Sequence, residues 1–164
     1  MRFRIVQTLP GPPADVFATL QSRSFRELMD ARLGMDKTLL DAEERDGGLL
    51  ERWKVVERSE LPPFVAKTIG SVLEYTLEHA IFTVERRVSW RVVPAMGADR
   101  VRAEGVERIE PEGEGSRRTV EGLVEVSAPL VGRKLSDYIG GEVEKGFRKA
   151  LPFIESYIAE RFRG

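Results

Sequence analysis

The sequence predicts an α+β fold: a strongly curved antiparallel sheet of about six or seven strands wrapped around one long C-terminal helix, with two short helices after the first strand. Three observations lead there. Residues 131–162 repeat apolar side chains at steps of three or four (Val131, Leu135, Ile139, Val143, Phe147, Ala150, Leu151, Ile154, Ile158, Phe162), the period of a helix with one apolar stripe. Most of the chain upstream alternates apolar and polar residues, the period of strands with one dry face. No other segment is apolar enough to cover that face; burying about ten side chains of the stripe contributes on the order of 15–25 kcal/mol before entropy.

Residues 2–9 form the first strand, with Phe3, Ile5 and Gln7 on one side and Arg4, Val6 and Thr8 on the other. Pro10-Gly11-Pro12-Pro13 ends it, and proline suits the start of a helix because its missing N–H is not needed there. A short helix follows over 14–20, with Val16, Phe17 and Leu20 inward. Ser24-Phe25-Arg26-Glu27 has the serine-to-glutamate spacing of a capping box and opens a second helix over 25–33, stopped by Gly34. Strands over 35–44 and 49–58 meet at Asp46-Gly47-Gly48, a tight-turn sequence whose positions need positive φ. Trp53 and Val55 share a face of the second strand.

Residues 61–70 (LPPFVAKTIG) begin with prolines and end with glycine, so they read as a short helix or loop. Phe64, Val65 and Ile69 are exposed there unless they cover something. Strands resume over 72–79, with Leu73, Tyr75 and Leu77 on one side, and over 87–93, with Val88, Trp90 and Val92 alternating against Ser89 and Arg91. A last pair, 101–110 and 119–126, spans a turn at 112–116; Val120, Gly122, Val124 and Val126 share one face. The terminal helix carries Gly140, Gly141, Gly146 and Pro152 in its interior. Each glycine costs roughly 1 kcal/mol relative to alanine, and the proline kinks the helix or leaves a carbonyl unpaired. Two readings of the glycines stand: close packing, or space for a ligand between helix and sheet.

The 164 residues suit a single domain, 1–164. With 41% hydrophobic and 32% charged residues, a core is available without membrane insertion, and the chain has no apolar run long enough for a leader or a membrane span. The cytoplasm is the expected compartment. A net charge of −1 with both signs interspersed offers no footprint for nucleic acid. The absence of cysteine excludes disulfides, thiolate catalysis and cysteine metal sites.

Taken together, this order of elements resembles the START-like (SRPBCC) superfamily, the helix-grip fold of pollen allergens and polyketide cyclases. Residues 61–70, followed by Tyr75 and Glu78, are similar to a segment of PRELI-type phospholipid-transfer domains. Residues 126–135 (VSAPLVGRKL) resemble the strand-to-helix joint of an uncharacterised bacterial START-like family. The resemblance implies an internal hydrophobic cavity and a lipid-like or polycyclic ligand, and it carries over no catalytic residue.

His79, the lone histidine, joins Leu73, Tyr75 and Leu77 at its strand's end, with no serine or aspartate spacing that marks a triad and no further histidine or cysteine for a metal. The carboxylate clusters at Glu43/Glu44, Glu57/Glu60 and Glu110/Glu112/Glu114 show no acid–base spacing. Trp53, Tyr75 and Trp90 fall on the inward parity and are either core or cavity wall. Arg52, Arg91 and Arg102 have the outward parity. Phe64 and Ile69 either gate the cavity mouth or seal the core, and with Lys67 beside them they suit transient contact with an anionic membrane surface. The expected ligand-binding set is Trp53, Phe64, Ile69, Tyr75, Leu77, Trp90, Val92, Tyr138, Ile139, Gly146 and Phe147, without metal or cofactor. The first reading is a noncatalytic carrier of a hydrophobic small molecule, a lipid foremost. The second is a cyclase or isomerase using Tyr75, Tyr138 or His79 as proton donor. The third is a protein-interaction domain without ligand.

Overall fold

The computed structural model describes residues 1–57 and 60–163. Its elements are β1 (Arg2–Leu9), α1 (Pro13–Gln21), α2 (Arg23–Leu33), β2 (Asp36–Arg45), β3 (Gly48–Glu57), α3 (Pro63–Ile69), β4 (Leu73–Phe82), β5 (Arg87–Pro94), β6 (Val101–Glu112), β7 (Gly115–Val126) and α4 (Gly132–Phe162). The seven strands form one sheet in the order β1-β7-β6-β5-β4-β3-β2, antiparallel throughout. This is the helix-grip architecture, with α4 against the concave face.

Alternation decides the two faces. Along β1 exposed and buried residues alternate strictly, with Phe3, Ile5, Gln7 and Leu9 inward. Its neighbour β7 turns Val120, Gly122, Val124 and Val126 the same way. Arg91 and Arg102 project outward, and Arg52 lies outside between Asp41 and Glu78. The Asp46-Gly47 turn has the positive φ angles, 52° and 76°, that its sequence requires.

Several boundaries differ from the sequence expectation, each for a local reason. The cap of α2 is Ser22, whose Oγ accepts from the Phe25 amide, so the helix starts at Arg23 and Ser24 lies inside it. The β6–β7 hairpin closes at Gly113 (φ 56°), and pairing continues through Pro111 opposite Ser116 to Glu112 opposite Gly115. The expected turn residues at both ends are therefore strand. β4 runs three residues beyond His79, because Ile81 and Phe82 still pair with β5. β3 is described as far as Glu57; its expected last residue, Arg58, lies outside the described residues.

Two interior glycines let the sheet hold its largest ring. Gly105 and Gly122 face each other across β6 and β7. The Trp90 indole lies over both, and a β-carbon on Gly105 would collide with that ring and with the Glu121 carbonyl. Phe3 and Phe147 complete an aromatic layer around Trp90, at ring-centre distances of 6.2 and 5.3 Å. At the opposite margin β2 is exposed along almost its whole length, with an irregularity between Leu39 and Asp41. Helix α4 runs through Pro152 unbroken, and the Gln7 amide donates to the Leu151 carbonyl at 2.8 Å.

Candidate functional site

Helix α4 rests mainly on β7 and β1, while α1 covers β6 and α2 meets α4. Over the inner faces of β3, β4 and β5 the helices stand farther off and reach across only by side chains such as Phe147, on Trp90, and Arg26, on Glu51. The space between is a cavity of about 640 Å³ whose wall is predominantly apolar. This is within the range of small-molecule sites, which run from roughly 300 to 1,000 Å³.

Nine of the expected binding residues stand on this wall: Ile69, Tyr75, Leu77, Trp90, Val92, Tyr138, Ile139, Gly146 and Phe147. The β4 residues arrive there by strand parity, the α4 residues by helical period. Trp53 and Phe64 do not line it. Trp53 has the inward parity, but the Lys37 ammonium sits 4.7 Å and the Arg26 guanidinium 5.4 Å from its ring centre, and they roof it over. Phe64 packs edge-on against Tyr138 and beneath Lys134 Nζ, 4.2 Å away, so it seals α3 to the first turns of α4. Its neighbours Val65 and Ile69 are buried with Val126 and Leu135.

The glycines of α4 divide between the two readings. A β-carbon on Gly140 would meet the Met1 sulfur at 2.5 Å, which is close packing. Gly146 borders the cavity, and a β-carbon there would touch nothing within 4 Å.

The sequence reading missed a polar set inside the grip. Glu51, on the same face as Trp53 and Val55, is buried and accepts from Arg26 at 2.7 Å. Lys37 Nζ bonds Asp30 at 3.2 Å; burial lowers its proton affinity, which Asp30 partly restores. Tyr75 Oη donates to Glu57 at 2.7 Å, and burial followed by that carboxylate raises its pKa far beyond the ordinary phenol value. Deeper in, Arg118 donates to Glu107 at 2.7 Å, with Arg118 Nη1 and Gln7 Oε1 left without partners. Strand parity was the available signal: Glu51, Glu107 and Arg118 each fall on the register of their strand's inward residues.

His79 lies opposite Glu51 on β3 and Trp90 on β5, and it lines the cavity. Among the described residues its imidazole makes no hydrogen bond. Burial, then the charges of Lys37 and Arg26, pull its pKa down to about 3, so the imidazole is neutral at pH 7. Among the described residues no cluster of three or more His, Asp and Glu is placed to hold a metal. No described helix is long and apolar enough to cross a membrane.

A curved sheet gripping a terminal helix over an apolar hollow defines the helix-grip fold. Solved structures of that kind superpose along nearly the whole chain. TTHA0849 from Thermus thermophilus is 19% identical, with 99% of this chain and 100% of that chain covered at a TM-score of 0.68. The ZhuI aromatase/cyclase from Streptomyces sp. R1128 is 13% identical, with 100% and 96% covered at 0.67. Ara h 8.0201 is 16% identical, with 98% of each chain covered at 0.63. No curated protein matches the chain in sequence. Within the class, residues 4–158 match the family model described as "Protein of unknown function (DUF2505)", and the chain belongs to that family.

Proposed function

We propose that this protein binds a hydrophobic small molecule, foremost a lipid, in the cavity between β3–β5 and α4, and that it acts as a noncatalytic carrier. The observation that carries this reading is the 640 Å³ hollow with its largely apolar wall. Left without an occupant, the apolar part of the wall forfeits packing contacts that an apolar ligand would supply. The helix-grip fold is typical of hydrophobic-ligand binding proteins, and the hollow argues against an interaction domain without ligand. Two of the three candidate proton donors speak against proton transfer. Tyr75 is committed to Glu57 and is hard to ionise, and His79 does not hold a proton near neutrality.

Native mass spectrometry of the protein purified without detergent tests the reading, together with titration of the apolar fluorophore 1-anilinonaphthalene-8-sulfonate. The expected result is a co-purifying lipid-sized adduct, or saturable dye uptake that a phospholipid or fatty acid displaces. Absence of both overturns it. Turnover of a polyketide-like compound that is lost in Tyr75→Phe would replace the carrier with an enzyme.

A further inference from the structure

We propose that the end of the molecule built from the α3–β4, β5–β6 and β7–α4 loops docks on the surface of an anionic lipid bilayer. The three loops form one continuous surface. A β-carbon on Gly70 would stand 3.0 Å from the Met96 sulfur, and one on Gly97 would stand 3.0 Å from the Thr68 carbonyl. The Ser127 amide donates to the Arg100 carbonyl at 2.8 Å, which joins the second loop to the third.

That surface exposes apolar side chains from each loop. Val72 is 56% exposed, Met96 60% and Leu130 fully, with Val131 beside it. Leu130 is the most telling. It occupies the centre of a γ-turn closed by the Val131 amide on the Pro129 carbonyl at 2.8 Å, with φ at 67°. A bulky residue in the left-handed region is strained, and γ-turns of this hand are rare. The fold thus holds a leucine in an unfavourable backbone conformation in order to point it into water, where it gains no contact. Strain combined with full exposure of an apolar tip marks a surface made for a partner.

Charge selects the partner. Lys67, Arg100, Arg133 and Lys134 are exposed around the apolar tips, and among the described residues none of them is in an ion pair. Asp99 and Asp137 are the carboxylates of the same segments, so this end is cationic on a chain whose net charge is −1. The first turn of the 31-residue helix α4 also lies here and adds its positive pole. Apolar tips on the same end as exposed cations match the interface of a membrane containing anionic lipid. Helix α3 supplies Val65 and Ile69 to the cavity wall, so docking presents that wall to the bilayer. The docking itself does not depend on what the cavity holds.

Co-sedimentation with vesicles of phosphatidylcholine alone, and of phosphatidylcholine mixed with phosphatidylglycerol, tests the proposal. The protein is expected to partition onto the mixed vesicles, less onto the neutral ones, and less as salt rises. Leu130→Asp is expected to weaken partitioning by about tenfold to hundredfold, the value of one buried leucine. Leu130→Gly should lose binding while raising Tm, because glycine relieves the strained φ. Val84→Asp is the control: Val84 is 86% exposed at the opposite end of β4 and should not matter. No partitioning onto the mixed vesicles, or equal loss from Val84→Asp and Leu130→Asp, overturns the proposal.

Discussion

Acidification should destabilise this protein through a single imidazole, and the size of the effect follows from its surroundings. His79 titrates near 6.5 in the unfolded chain and near 3 in the folded one. Between those values the unfolded state holds a proton that the folded state refuses. Stability therefore rises with pH across the window, is complete above about 6.5, and is lost as pH falls toward 3. At about pH 4.5 the loss amounts to two pH units, about 3 kcal/mol. Burial is the largest cause, followed by the charges of Lys37 and Arg26, which are only partly offset by their partners Asp30 and Glu51. Urea unfolding at about pH 7.5 and pH 4.5, on the native chain and on His79→Gln, isolates the effect, because carboxylate titration is common to both. The native chain should lose about 3 kcal/mol more than the variant. Since no other histidine is present, its ring protons also give one NMR titration curve. Equal losses in the two proteins, or a folded-state midpoint near 6.5, would refute the reasoning.

Gly146→Leu places a side chain in open space beside the cavity while removing a glycine from a helix. It should raise Tm slightly and reduce dye uptake several-fold, and unchanged uptake in a fluorescence titration would separate Gly146 from the ligand's volume. Gly141→Ala meets nothing within 4 Å and should stabilise by about 1 kcal/mol in chemical denaturation. Gly105→Ala should destabilise by at least about 3 kcal/mol in the same assay, because its β-carbon collides with a backbone carbonyl and the Trp90 ring. Arg118→Met strands the Glu107 carboxylate and should cost about 3–5 kcal/mol, most of which Arg118→Met combined with Glu107→Leu restores, as a double-mutant cycle would measure.

The scaffold was legible wherever one physical signal dominated. The alternation of β1 and the stripe of α4 each encode a face, and Asp46-Gly47-Gly48 encodes a turn, so those elements fall where the residues put them. The cap of α2 was less legible because Ser22 and Ser24 are both good caps, and only the chain's direction after α1 chooses between them. At the site, parity placed Tyr75, Leu77, Trp90 and Val92 on the wall. Parity alone gives the side of the sheet and not what stands above it. Trp53 is inward yet covered, because α2 and β2 carry Arg26 and Lys37 over its ring, a fact of tertiary distance. The same blindness hid the Arg26–Glu51 and Arg118–Glu107 pairs, in which charges sit on the dry face because a partner 25 or 11 residues away meets them.

The bare margin of the sheet at β2 has its own consequence. A long strand with one free edge invites a second chain to add to it, and here the invitation includes the exposed leucines Leu39 and Leu40. The register slips at just that point, so a straight incoming strand loses its hydrogen-bond partners midway. Beyond the slip come Asp41, Glu43 and Glu44, of which Asp41 and Glu43 are already engaged by Arg52 and Arg45 of the same chain. The edge strand thus resists polymerisation by its shape, at the irregularity in its middle.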